Sequence, residues 1–301
     1  MQKPNCLKVG DKVGIISTAR KISEEEVQPA INKLQEWGLE VIKGENLHSE
    51  HHQFAGSIAQ RANDLQKMLN NKEIKAIFCA RGGYGTVQII DDINWNAFRR
   101  NPKWIVGYSD ITVLHSHLQK QLGIESIHAT MPINFPNDGI DNNAVLSLKS
   151  ALFQGKNTYK FASHQFNKPG VIEGKIGGGN LSILYSLLGS ESDISTNTDI
   201  LFIEDLDEYI YHIDRMMMNM KRNGKFTHLK ALIIGGMSDM NDNDIPFGKT
   251  AEQIIYDITK EYNFPVCFNF PAGHIADNRA IIMGRDAIIE IGKDDSKFIQ
   301  H

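Results

Sequence analysis

Residues 104–115, WIVGYSDITVLH, set Ser109 between a tyrosine and an aspartate, directly after a short apolar run and before what reads as a helix. A strand that turns sharply into a helix can present a serine hydroxyl at the helix N-terminus, where backbone N–H groups and the macrodipole favour developing negative charge. Such a serine could attack a carbonyl. Gly107, two residues earlier, permits the tight turn, but Ile111 stands where a second glycine would complete the elbow. A plain helix cap, with Ser109 bonding the amide of Thr112, accounts for the local sequence equally well. A nucleophile also needs a base and a group that orients the base. Glu204 ends the apolar run ILFIE, where its side chain can face a cleft, and Asp205, Asp207 and Glu208 after it read as a solvated helix start. His274 follows VCFNFPAG, in a loop after a strand, a position where functional side chains collect.

Two glycine runs could bring backbone amides to an oxyanion. RGGYG, residues 81–85, lacks the G-x-G-x-x-G spacing of a dinucleotide site and the Lys-Ser/Thr ending of a P-loop, so a nucleotide reading is weak. GGGN, residues 177–180, reads as a loop entering a helix and could be no more than a close-packed turn. His48, His51 and His52 stand in a polar loop without a carboxylate or cysteine ligand pattern and read as solvated, so no metal is expected. His115 shares the helix after Ser109 and is expected to point elsewhere.

These groups must be carried by something. KVGIIS reads as a strand, followed by a helix opened by the capping box Ser23/Glu26, with Val27, Ala30, Ile31, Leu34 and Trp37 on one face. LEVI is a second strand, and Ser57/Gln60 caps a helix with Ile58, Ala62, Leu65 and Leu69. KAIFCA is a buried strand, RGGYG a loop, TVQIIDDI a helix, and WIVGYSD leads a further strand into a helix. This alternation implies a parallel sheet covered by helices, with ligands outside the carboxyl ends of its strands. RGGYG and Ser109 both fall at such ends and are expected to be neighbours. The signal weakens from Gly139 to Gly170. We therefore expect an N-terminal α/β domain over 1–153, a linker over 154–170, and a smaller mixed α/β domain over 171–301.

The 301 residues carry 32 Lys and Arg against 36 Asp and Glu, a net charge of −4, which leaves no electrostatic footprint for nucleic acid or an anionic membrane surface. No secretory leader or membrane-spanning run is read, so a cytoplasmic protein is expected. Cys6, Cys79 and Cys267 lack the spacing of a zinc site or a redox pair and are expected to be reduced.

Taken together, RGGYG (81–85), VGYSDIT (106–112), GGNLSIL (178–184), LFIEDLDEYIYHIDRM (201–216) and AGH (272–274), in that order, resemble the LD-carboxypeptidase family of serine peptidases, which includes the microcin-immunity peptidases. The resemblance spans nearly the whole chain. It implies a parallel-sheet N-terminal domain of flavodoxin-like or class I amidotransferase-like type and a mixed C-terminal domain, with the active site in the cleft between them. It also implies a triad: Ser109 as nucleophile, His274 as base, Glu204 as its orienting carboxylate. The backbone amides of Gly83 and Asp110 would form the oxyanion hole, and Arg81, Gly82, Tyr84, Gly178 and Asn180 would contact substrate. The implied reaction is hydrolysis of the amide between an L-centre and the terminal D-alanine of muramyl tetrapeptide, in peptidoglycan recycling. A microcin-immunity hydrolase acting on peptide-nucleotide antibiotics is the alternative, and a non-enzymatic two-domain binding protein is the alternative of another class. A small muropeptide is the expected partner, a homodimer the expected assembly, and no cofactor is implied. The family's Leu-Pro after the histidine is replaced here by HIADNRAIIMG, although Asn278 matches.

Overall fold

The computed structural model describes residues 1–194 and 198–301. The first half runs β1 (Lys12–Ile16), α1 (Glu24–Glu36), β2 (Glu40–Lys43), α2 (Ile58–Asn70), β3 (Ile74–Cys79), α3 (Asn96–Arg100), β4 (Trp104–Gly107), α4 (Thr112–His117), β5 (Ser126–His128) and α5 (Asn143–Gln154). The second runs β6 (Asn157–Ala162), β7 (Gly170–Asn180), α6 (Leu181–Ser186), β8 (Ile200–Leu206), α7 (Ile210–Arg222), β9 (Ala231–Ser238), α8 (Ala251–Thr259), β10 (Val266–Cys267), β11 (Ile281–Met283), β12 (Asp286–Ile291) and β13 (Asp295–Gln300).

Both expected capping boxes form: Ser23 and Glu26 exchange side-chain to backbone bonds at the start of α1, as do Ser57 and Gln60 at α2. The apolar face of α1 is buried as its periodicity requires. On α2 the inner face differs from the apolar reading. Ile58 is exposed at its first turn, and Arg61 and Asp64 are buried beside Leu65 and Leu69.

The first sheet has the order β11-β5-β4-β3-β1-β2, with β5, β4, β3, β1 and β2 parallel and β11 antiparallel on β5. Its helices cover both faces, and its central strands β3 and β4 are accordingly apolar apart from Lys75. The second sheet is mixed: β10, β9, β8 and β7 are parallel, and β12, β13 and β6 continue it antiparallel. The α/β reading of both halves therefore holds.

Four local expectations change. The 154–170 stretch is not a plain linker, because β6 inside it pairs with β13 as the edge of the second sheet. TVQIIDDI is not one helix but two short 3₁₀ turns, Thr86–Gln88 and Ile90–Asp92. GGGN is not a loop: it is the end of the eleven-residue β7, parallel to β8. The acidic run after Glu204 is not a helix start either, since α7 begins at Ile210 after the cap residue Tyr209. Residues 281–283, where the family pattern would place its proline, form β11, and this strand ties the C-terminal segment to the first sheet. A proline would remove a donor from that ladder.

Candidate active site

β4 is fully buried and ends at Gly107, from which the chain turns into a 3₁₀ turn, Ser109–Ile111, and then α4. A Cβ on Gly107 would lie 2.8 Å from the Ile111 side chain. Ile111 thus packs over the turn, which explains why it can stand where an elbow would carry a second glycine. Ser109 itself holds φ at +63°, the left-handed region, a strain of ~1–3 kcal/mol for a non-glycine residue. Its side chain does not cap a helix: neither the 3₁₀ turn nor α4 has a side-chain cap, and the Thr112 N–H donates to backbone carbonyls.

The hydroxyl instead faces His274. Ser109 Oγ lies 3.1 Å from His274 Nε2, and His274 Nδ1 lies 2.7 Å from Glu204 Oε2. Glu204, on β8, is fully buried, whereas the His274 side chain retains 13% exposure and Ser109 is partly exposed. An ionised carboxylate only accepts, so Nδ1 carries the proton and Nε2 is free to accept from the serine. The same carboxylate oxygen accepts from the His274 backbone N–H at 3.1 Å, so one atom fixes both the ring and its chain. Gly273 makes this approach possible at φ +102°, where a Cβ would stand 2.7 Å from Glu204. Asn278, buried, accepts from the Gly273 N–H at 2.9 Å, and Ser238 Oγ donates to the His274 carbonyl at 2.7 Å. Burial works against a charged imidazole here. The hydrogen bond and charge of Glu204, with a smaller push from Asp205, outweigh it and raise His274 above the ordinary histidine value.

The glycine loop lies beside the serine, as its strand-end position leads one to expect. A Cβ on Gly82 would be 3.0 Å from Ser109 Oγ and 3.4 Å from Asp110 N, so only glycine lets the loop approach this closely. Gly83, at φ +112°, packs against the Arg20 side chain, and Tyr84 is exposed. Arg81 donates to the Lys21 carbonyl at 3.2 Å. At the other glycine run, the side chains are spent within the fold. Asn180 caps α6 through the Ile183 N–H and donates to Asp205, and a Cβ on Gly178 would fall 1.9 Å from the Phe202 carbonyl oxygen. Gly179 lies against Thr112, at the first residue of α4, so this strand end docks the second half onto the helix that follows Ser109.

Two further side chains, each within a quoted motif but given no role there, frame the site. Tyr108 places its ring 4.8 Å from that of His274 and donates to Asn134 Oδ1 at 3.2 Å. Asp205, expected to be solvated, is buried and accepts from Asn180, Ser182 N–H and Leu206 N–H; burial, then the Glu204 charge, push it up to about 7. Of the acidic residues after it, Asp207 is exposed and accepts from Asn241, and Glu208 pairs with His212. His115 points away, bonded to the Gly107 carbonyl and Ser126. His48 bonds the Ile22 carbonyl through Nδ1, and no group of three or more possible metal ligands occurs among the described residues.

A cavity of about 650 Å³ opens elsewhere, bounded by Asp91, Trp95, Arg99, His117 and Glu191; none of Ser109, Glu204 and His274 lines it. No helix among the described residues is long and apolar enough to cross a membrane.

Two α/β halves, with a serine from one hydrogen-bonded through histidine to a buried glutamate of the other, define a two-domain protein whose candidate site exists only where the halves meet. The description "LD-carboxypeptidase N-terminal domain" matches residues 13–129, and "LD-carboxypeptidase C-terminal domain" matches residues 173–289. The chain belongs to the LD-carboxypeptidase family of serine peptidases. It is 34% identical over 290 residues to a probable murein peptide carboxypeptidase of Bacillus subtilis (strain 168), covering 95% of this chain and 90% of that one. Its fold matches a muramoyltetrapeptide carboxypeptidase from Oxalobacter formigenes with a TM-score of 0.87 at 24% identity, covering 96% and 98% of the two chains. It also matches the microcin C7 self-immunity protein in complex with aspartyl sulfamoyl adenosine, with a TM-score of 0.85 at 22% identity and 98% of each chain covered.

Proposed function

We propose that the protein is a serine-type LD-carboxypeptidase that hydrolyses the amide between an L-configured diamino acid centre and the terminal D-alanine of muramyl tetrapeptide, in cytoplasmic peptidoglycan recycling. The observation that carries this reading is the unbroken series Ser109 Oγ, His274, Glu204, with bonds of 3.1 and 2.7 Å, in a member of this family. Ser109 attacks the carbonyl as His274 Nε2 takes its proton. His274 then returns the proton to the leaving amine; a water, deprotonated in turn by His274 Nε2, cleaves the acyl-serine ester and regenerates Ser109, while Glu204 holds the Nδ1–H tautomer and stabilises the imidazolium. The backbone amides of Asp110 and Gly83 receive the oxyanion, a role supported by the packing of the glycine loop against Ser109. The left-handed turn at Ser109 aims the hydroxyl away from the helix it precedes.

The fold match to the microcin self-immunity protein supports a second reading, hydrolysis of an aminoacyl-nucleotide analogue by the same groups. Incubation with muramyl tetrapeptide and with an aminoacyl sulfamoyl adenosine, each product assayed by mass, separates the two. Release of D-alanine is expected, and turnover of the second compound alone would reverse the ranking. A binding protein without catalysis would leave Ser109 unlabelled by a fluorophosphonate probe.

A further inference from the structure

Arg61 and the Asp110 carboxylate, two buried charged groups, lie next to the site without touching its hydroxyl. Arg61 projects from α2 and is 1% exposed. Its Nη1 donates to the carbonyls of Thr18 and Gly85, each at 2.9 Å, and its Nη2 donates to Gln88 Oε1 at 2.7 Å. Gly85 stands at φ +145°, and a Cβ there would fall 2.3 Å from Nη1, so the guanidinium is seated directly on the loop's last residue. Asp110 is also 1% exposed, and its Oδ2 accepts from the Thr86 N–H at 2.8 Å. The Thr86 hydroxyl meets that of Thr18 at 2.9 Å, which closes the arrangement onto the Thr18 carbonyl held by Arg61.

We infer that Arg61 and the Asp110 carboxylate are positioning residues that clamp the exit of the 81–85 loop and thereby set the two oxyanion donors relative to each other. The inference rests on the serine-hydrolase reading above. Asp110 carries one donor on its own backbone, while its side chain fixes Thr86, the residue that follows the loop bearing the other donor. A loop with three glycines does not hold an amide in place by itself, and oxyanion stabilisation requires donors fixed before the charge develops. Arginine suits this place because its planar fork can serve three acceptors lying in different directions, which a lysine ammonium on a flexible stem does not reproduce.

The test uses the full-length protein and muramyl tetrapeptide, with Arg61→Met, Asp110→Ala, Asp110→Asn and the double variant Arg61→Met/Asp110→Ala, each first checked for cooperative unfolding. Loss of one well-placed oxyanion donor costs about 10²–10³ in kcat, so each of the first two variants is expected to lose roughly 10- to 10³-fold in kcat with KM within about threefold. Asp110→Asn keeps an acceptor for the Thr86 N–H and is expected to lose less than Asp110→Ala. The double variant is expected to lose little more than the worse single, because both act on one loop. The rate of fluorophosphonate labelling at Ser109 should fall in parallel with kcat. If Arg61→Met does not fold, the contrast between the two Asp110 variants carries the test. Folded Arg61→Met and Asp110→Ala proteins with kcat near wild type, or losses that multiply in the double variant, overturn the clamp. Full activity in Ser109→Ala would overturn the hydrolase reading, and the clamp with it; an inactive Ser109→Ala beside unimpaired clamp variants overturns the clamp alone.

Discussion

The ends of β4 and β8 are built alike and behave differently. Each buried parallel strand delivers a candidate site residue and then a buried aspartate that braces a neighbouring segment by its side chain: Ser109 with Asp110 on Thr86 after the glycine loop, Glu204 with Asp205 on Asn180 and Ser182 at the junction of β7 and α6. At β4 the backbone leaves the sheet at once, through a left-handed residue, and the hydroxyl is brought to the surface. At β8 the chain stays in the sheet to Leu206, with an irregular register between Ile203 and Asp205, and the carboxylate stays dry. A nucleophile must meet substrate, whereas the group that orients a base acts best in a medium of low polarity, where its charge is least screened. The difference between the two ends follows from that division.

The division breaks first at the serine. Ser109→Ala is expected to abolish release of D-alanine, with a loss approaching ~10⁶ and an unchanged unfolding transition, because the hydroxyl is small and partly exposed. Retention of most of the activity in a mass assay would remove the exposed end from the chemistry.

The buried end is next. Glu204→Gln keeps size and one acceptor but loses the charge, and kcat is expected to fall ~10²–10⁴ with little change in KM. The pH profile gives the sign. His274 must be neutral to accept the proton, so kcat/KM rises with pH through its pKa, which Glu204 holds above the ordinary histidine value. Removal of that charge should move the acid limb of the residual activity to lower pH; a limb that stays in place would show that Glu204 does not set the imidazole.

Asp205 separates bracing from catalysis. Its folded pKa is raised to about 7, so between the unfolded carboxylate value and 7 the folded chain binds the proton more tightly than the unfolded one. Its contribution is therefore greatest at low pH and declines as pH rises toward 7. Chemical denaturation of Asp205→Asn across this range should show a flatter stability profile than wild type, and an unchanged slope would refute the assignment. The smallest effects are expected just beyond the strand. The side chains of Asp207 and Glu208 bond Asn241 and His212, outside the candidate site, and Asp207→Asn and Glu208→Gln should each change kcat/KM by less than about tenfold, ~1.4 kcal/mol. If Glu204→Gln proved no worse than these two, the carboxylate would be misplaced.

Much of the frame was legible because it is local. The two capping boxes, the buried face of α1 and the strand-helix alternation of the first half all follow from neighbours within a few residues. Other features were hidden because partners remote in sequence decide them. β6 reads as polar linker since an edge strand of a mixed sheet needs only one buried face, and β11, which the sequence reading assigns to the second domain, joins the first sheet. Arg61 recurs at helical spacing with Leu65 and Met68 on the inner face of α2, a charged residue inside an apolar stripe. That spacing was the available signal for its burial.

The amino-acid sequence alone determined the α/β class of both halves, the capped starts of α1 and α2 and, through five motifs in order, the family, and it offered Ser109, Glu204 and His274 as candidates. It left Ser109 poised between cap and nucleophile on local grounds, since a serine before a helix satisfies either description. Only the tertiary structure decided that the side chain caps nothing and meets His274 across 165 positions, and that His274 meets Glu204 across 70. The physical reason is that a hydrogen bond depends on distances of a few tenths of an ångström. Between residues so far apart, those distances are set by how the two sheets dock: by the close approach of β7 at Gly179 to α4, and by the return of β11 to the first sheet.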